Sequence, residues 1–122
     1  QHKRMNRLYA RTGPQWELYG QLTLSDRYLV FQPADTTRLL VIPLADLKCA
    51  LLKSPFFAVA PVGGADSIAF NVNVPGQSYE VDNLLWRPFW RDLLDLTRDH
   101  VSWTQTLEEY ETKCRTLGVG PT

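Results

Sequence analysis

At 122 residues and 14.0 kDa the chain has the length of one domain. A chain of that size buries roughly two-thirds of the surface its unfolded form exposes, so no metal or disulfide staple is required. Its 44% apolar, 11% aromatic and 21% charged residues exclude wholesale disorder, and thirteen basic side chains cancel thirteen acidic ones. No net charge therefore draws it onto nucleic acid or an anionic membrane.

The balance is uneven along the chain. Residues 1–16 carry Lys3, Arg4, Arg7 and Arg11 with no acid, leaving a body of net charge −4. A basic arm over residues 1–14 is expected, a solvated tail or one that docks on acidic protein, phospholipid or nucleic acid. The chain opens on Gln1 rather than Met, which reads as a processed or trimmed start, so a removed targeting segment stays open. No apolar run approaches the about 20 residues of a spanning helix. A cytoplasmic location is expected, with membrane association and an organelle interior as alternatives.

After Gly13-Pro14, apolar Trp16, Leu18, Leu22 and Leu24 alternate with polar neighbours at the period of a half-buried strand. Ser25-Asp26 turns the chain into Arg27–Gln32. A third strand spans Arg38–Leu44, where Pro43 marks an exposed edge or end. Asp46–Lys53, Phe56–Val62, Ser67–Val74 and Ser78–Val81 complete seven strands. A helical period then takes over, with Pro88 suited to a first turn. Phe89, Leu93, Leu96, His100, Trp103, Leu107, Tyr110, Cys114 and Leu117 step by 4 and 3, and Gly118 is a natural stop. An unbroken helix over 88–117 would be about 45 Å long, too long for a small β domain to cover. The distal half then projects as a pairing seam. The competing reading breaks the helix at residues 102–106, where Ser102…Gln105 and Thr106…Glu109 both match capping boxes, and folds a second helix back.

Seven antiparallel strands followed by an amphipathic helix is the order of a pleckstrin-homology-like barrel, two near-orthogonal sheets plugged by the helix. A lipocalin-like barrel and an α+β roll compete on pattern alone. The run Gly20-Gln21-Leu22-Thr23-Leu24-Ser25-Asp26-Arg27-Tyr28-Leu29-Val30-Phe31 resembles the opening hairpin of GRAM domains. Ile42-Pro43-Leu44-Ala45-Asp46-Leu47-Lys48 is similar to that family's I-P-L-x-x-I segment. Lys53-Ser54-Pro55-Phe56-Phe57 resembles the K-x-P-x-F of the WW-domain-binding-protein type. The resemblance covers about residues 15–100 and implies a non-enzymatic module that binds phosphoinositides or proteins. Its first hairpin loop offers only Arg27 where phosphoinositide-binding members cluster cations, which favours protein.

Enzyme chemistry finds few residues to use. His100 is the sole interior histidine and sits on the helical stripe, no Gly-x-Ser-x-Gly elbow exists, and Gly63-Gly64 lacks the rest of a phosphate loop. Asp92, Asp95 and Asp99 interleave with Arg91 and Arg98 as a solvated face. Cys49 and Cys114 have no metal-ligand spacing and read as two buried thiols. Trp86 and Trp90 are expected to clamp the helix to the barrel. No enzyme, cofactor or metal is expected, and nucleic acid is disfavoured.

The expected organisation is thus an arm (1–14), a GRAM or pleckstrin-homology-like domain (15–101) and a helical extension with a tail (102–122). The expected function is an adaptor-type protein-interaction module, a subunit of a larger assembly. Trp103, Leu107, Tyr110 and Leu117 would form its partner seam. Lys3, Arg4, Arg7, Arg11, Lys48 and Lys53 would meet an acidic partner or anionic lipid. A peripheral membrane module and a fixed subunit of an organellar complex are the alternatives.

Overall fold

A computed structural model describes residues 6–13, 15–35, 38–53, 56–61, 67–72 and 79–119, with backbone alone for 6–8 and 79–86. Seven strands come first: β1 (Asn6–Thr12), β2 (Leu18–Leu24), β3 (Tyr28–Pro33), β4 (Leu40–Pro43), β5 (Leu47–Lys53), β6 (Phe56–Pro61) and β7 (Ile68–Asn71). Helix α1 (Tyr79–Thr97), a short β8 (Ser102–Thr104) and helix α2 (Leu107–Thr116) follow. The strands form one continuous sheet in the order β4-β3-β2-β1-β7-β6-β5-β8. All neighbours are antiparallel except β5 and β8, which run parallel. The expectation of seven strands in two sheets thus gives way, among the described residues, to eight strands hydrogen-bonded in a single sheet.

The basic arm is corrected first. Residues 6–12 form β1, which pairs with β2 from Asn6↔Leu24 to Thr12↔Leu18 and with β7 at Arg11↔Asn71 and Thr12↔Phe70. It joins the two halves of the sheet. Ala10 and Thr12 point inward and are buried, and Thr12 Oγ1 donates to the Ala69 carbonyl at 2.7 Å. Small inward residues between arginines gave this strand little apolar signal.

The inner face holds one core. Phe31 on β3, Phe70 on β7, Phe57 on β6 and Phe89 on α1 form a chain of ring contacts with centroids 5.7, 5.1 and 6.2 Å apart. Leu22, Leu24, Leu29, Val59 and Leu93 fill the space around them. Burial of these side chains, each contributing about 1.5–3 kcal/mol, anchors α1 across the inner face.

Helix α1 starts at Tyr79, so the Ser78–Val81 strand does not form over the described residues 79–81, and Pro88 lies inside the helix rather than in its first turn. Glu80, Leu84 and Leu85 are good helix formers in that segment. Nor does the helix run on to residue 117. It ends at Thr97, whose carbonyl accepts from the amides of His100 (3.2 Å) and Val101 (2.9 Å). Thr97 Oγ1 donates back to the Leu93 carbonyl at 2.7 Å and accepts from Trp103 Nε1 at 3.0 Å. The chain then pairs Ser102–Thr104 against Cys49–Leu51 of β5, so Ser102 is strand and the Thr106…Glu109 box is the one used. The Glu109 amide donates to Thr106 Oγ1 at 3.1 Å.

Helix α2 folds back onto the outer face of β5–β7. Tyr110 and Cys114 pack there against Cys49, Ala58 and Ala60, a second core on the opposite side of the sheet from the first. Its end is closed by Gly118 at φ 76°, with Val119 N–H bonded to the Cys114 carbonyl and Gly118 N–H to that of Arg115. Buried Val119 tucks under the last turn. Strand β6 is buried on both faces for this reason, with large Phe57 and Val59 inward and small Ala58 and Ala60 outward beneath the helix.

Candidate protein-interaction face

With α2 seated on one half of the outer surface, the outer face of β1–β4 is left without a covering element among the described residues. Alternation sends Tyr9 and Arg11, then Tyr19, Gln21 and Thr23, then Tyr28, Val30 and Gln32, then Val41 and Pro43 outward. These positions hold three tyrosines and no Lys, Asp or Glu. Tyr9 is 45% exposed, Tyr28 42% and Val41 48%, with exposed Leu39 at the margin. Aromatic enrichment with few charges marks the centre of protein interfaces.

Register assembles the face. Tyr9 lies opposite Gln21, and Gln21 opposite Gln32; Val30 lies opposite Val41. The Tyr9 and Tyr19 rings are parallel to within 6° with centroids 5.8 Å apart. Beside them is a groove of about 740 Å³ lined by Tyr9, Tyr19, Gln21, Gln32 and Asp35, with Ala34 exposed and Gly20 and Pro33 buried beneath. Gly20 is required there: a Cβ would collide with the Gln32 carbonyl oxygen and lie 2.7 Å from Pro33 Cα. The Ala34 amide donates to the Tyr19 carbonyl at 2.8 Å, fixing the groove's outer lip.

The free edge of β4 is blunted. The Leu44 amide bonds to the Arg27 carbonyl, so by alternation Val41 and Pro43 turn their backbone outward to the edge. Pro43 has no N–H to offer a further strand. The edge is therefore poorly suited to strand addition.

The cations expected to act together are partly separated. Lys3 and Arg4 lie outside the described residues, and Arg7 is placed by backbone alone, opposite Thr23. Arg11, Asn71, Phe56 and Lys53 occupy one row across β1, β7, β6 and β5, so about 14 Å separates Arg11 from Lys53 at about 4.8 Å per strand. Trp16, at φ 57°, sets its ring 5.5 Å from Phe56 in the same region. Exposed Lys48 sits at the other end of β5, where the register shifts.

The partner seam is dispersed. Tyr110 is 1% exposed and Trp103 is half-buried, its ring in edge contact with Trp90 at 4.6 Å. Only Leu107 and Leu117 remain exposed. Trp103 stands on β8, Leu107 and Tyr110 on α2, and Leu117 just past its end, so the four do not share one helix face. Trp90 does pack against the main core; the Trp86 side chain lies outside what is described.

His100 uses Nε2 to donate to the Leu44 carbonyl at 2.6 Å, tying the end of α1 to the turn before β5. Asp95 pairs with Arg98 on the exposed face of α1. Cys49 and Cys114, 65 positions apart in the sequence, meet between β5 and α2 as buried free thiols. Burial, with the Cys114 side chain beside it, pushes the Cys49 thiol up to about 12. Burial likewise raises the Tyr110 hydroxyl. That hydroxyl and Ser67 Oγ are both buried and neighbours, and neither has a partner at good hydrogen-bond geometry. Among the described residues no three His, Cys, Asp or Glu side chains are placed to hold a metal ion, and no helix is long and apolar enough to cross a membrane.

No family model matches the chain, and no curated protein matches it. Solved structures do. One is the Spt16D Pob3N heterodimer, with a TM-score of 0.60 and 8% identity over 87% of this chain. The chain spans 58% of that neighbour's length. Another is the C-terminal domain of an unknown protein from Leishmania infantum, with a TM-score of 0.54 and 13% identity over 75% of this chain and 85% of that one. At such identities the likeness concerns fold alone. Together with the mostly β order and the C-terminal helix, it supports a pleckstrin-homology-like fold.

Proposed function

We propose that this chain is a non-enzymatic protein-interaction module, an adaptor or subunit of a larger assembly, that docks a protein partner on the uncovered outer face of β1–β4. The observation that carries this reading is the composition of that face: tyrosines, valines and glutamines stand where a solvated strand would show lysine and glutamate. The solved heterodimer with the same fold is compatible with it. The GRAM type is the finer part of the proposal and rests on the motif residues, which fall on β2–β3 and across the junction of β4 and β5. A photo-crosslinking side chain placed at Val41 in the native assembly should capture a protein that the same group at Lys48 does not. Equal capture from both positions, or none from Val41, overturns the reading.

A second reading has its own observation. Arg11 and Lys53 share a row with the Trp16–Phe56 ring pair, a cationic and aromatic edge suited to an anionic lipid surface. Co-sedimentation with anionic vesicles that is abolished by Arg11→Glu with Lys53→Glu would favour it over the protein module.

A further inference from the structure

We infer that the groove beside Tyr9 and Tyr19 binds a proline-rich segment in polyproline II conformation, flanked by a basic residue; this deepens the protein-docking reading above and rests on it. Three features carry it. First, the groove is walled by two parallel tyrosine rings, 45% and 38% exposed, on neighbouring strands. Flat apolar faces with hydroxyl tips suit pyrrolidine rings, and the 5.8 Å between centroids is close to the about 6.2 Å that two residues advance along such a helix. Second, the polar groups are matched in kind. A run of prolines has carbonyl acceptors and no N–H donors, while Tyr9, Tyr19, Gln21 and Gln32 each bring a donor to the groove. Third, among the described residues that line it, the charged one is Asp35, exposed at the lip. Asp35 favours an arginine or lysine beside the prolines over a phosphate or carboxylate. Its volume of about 740 Å³ lies within the range of ligand sites, about 300–1,000 Å³.

The test uses the full chain and a fluorescein-labelled peptide of eight prolines with one arginine at its N-terminal end. Anisotropy should show saturable binding below about 1 mM, and none when alternate prolines are replaced by glycine. Tyr9→Ser and Tyr19→Ser are surface changes that should leave the melting temperature in place and weaken binding about tenfold or more. Asp35→Asn should weaken the arginine peptide about two- to fivefold and leave a glutamine-headed version unchanged. Binding indifferent to both tyrosine substitutions overturns the site. Saturable binding of cellotriose with no response to the peptide overturns the ligand class in favour of a saccharide. Peptide silence with protein still captured from Val41 defeats the polyproline inference alone; loss of both defeats the docking reading as well.

Discussion

Tyr110 decides whether the last quarter of the chain is core or appendage. It is 1% exposed and packed on Cys49, Ala58 and Ala60 beneath α2, so Tyr110→Ala opens a cavity in a double-sided sheet. Truncating a large buried aromatic costs about 3–5 kcal/mol. Its hydroxyl has no well-formed hydrogen bond to lose, so the cost comes from packing. Unfolding entropy of about 2.1 cal/mol/K per residue makes each kcal/mol worth about 4 °C in a chain of 122 residues. The variant should therefore melt about 12–20 °C lower, measured by circular dichroism or calorimetry. Leu107→Asp is the internal control. Leu107 is 55% exposed on the same helix, and its replacement should stay within about 0.5 kcal/mol, or about 2 °C. If Tyr110→Ala melts with the parent while Leu107→Asp abolishes self-association or partner binding, α2 does not pack on the sheet. The projecting seam would then be the correct account.

Other perturbations address other joints of the fold. Pro88→Ala should stabilise the protein by up to about 3 kcal/mol in denaturant titration, because Pro88 interrupts the ladder inside α1; a null or negative effect would place Pro88 in a first turn. Deleting residues 1–12 should abolish the cooperative thermal transition, since β1 joins β2 to β7; an unchanged melt would restore the arm. Gly20→Ala should cost about 1–3 kcal/mol or more, because the added methyl meets the backbone of Gln32 and Pro33; a melt like the parent's would refute that approach. Alkaline stability follows from the Cys49 thiol, raised in the fold from 9.0 to about 12 by burial. The unfolded chain ionises first, so this contribution is complete below about pH 9 and is lost at up to about 1.4 kcal/mol per pH unit as pH rises toward 12. Cys49→Ala should flatten the denaturation midpoint between pH 9.5 and 10.5, in steps of ~0.5 unit, relative to the parent; identical slopes would refute it.

The strands with strong alternation were legible, and those with small inward residues were not. Leu22, Leu24, Leu29 and Phe31 announce β2 and β3 directly, and the Gly118 stop closes α2 as its sequence implies. Strand β1 was hidden because its inward residues Ala10 and Thr12 are small or polar and its outward ones include arginine. The helical stripe misled for a different reason. A step of 4 and 3 residues continues through any two helices that bury the same kind of face, and periodicity cannot see the β8 segment between them. The Thr106…Glu109 box was the local signal that outranked it. The tyrosine face depended on β1: Tyr9 and Tyr19 meet only when β1 pairs with β2, so no reading that left residues 1–14 as an arm could assemble it.

The outward residues of the sheet carry a consistent physical message about what lies over them. Beneath α2 on β5–β7 they are Cys49, Ala58, Ala60 and Ala69, with Leu51 beside them, mostly small enough for α2 to approach and too apolar to face water at no cost. On β1–β4 they are Tyr9, Tyr19, Tyr28, Val30 and Val41, larger, with Gln21, Thr23 and Gln32 among them and Arg11 as the charge. A solvated antiparallel face normally alternates apolar inward with polar outward. The second half departs from that rule as the first does, yet no described element of this chain covers it. Side chains of this size would hold a covering helix farther off than the alanines beneath α2 do, and their tips present broad rings and methyl groups. On the proposed docking reading, a partner does for β1–β4 what α2 does for β5–β7, and one rule accounts for both halves.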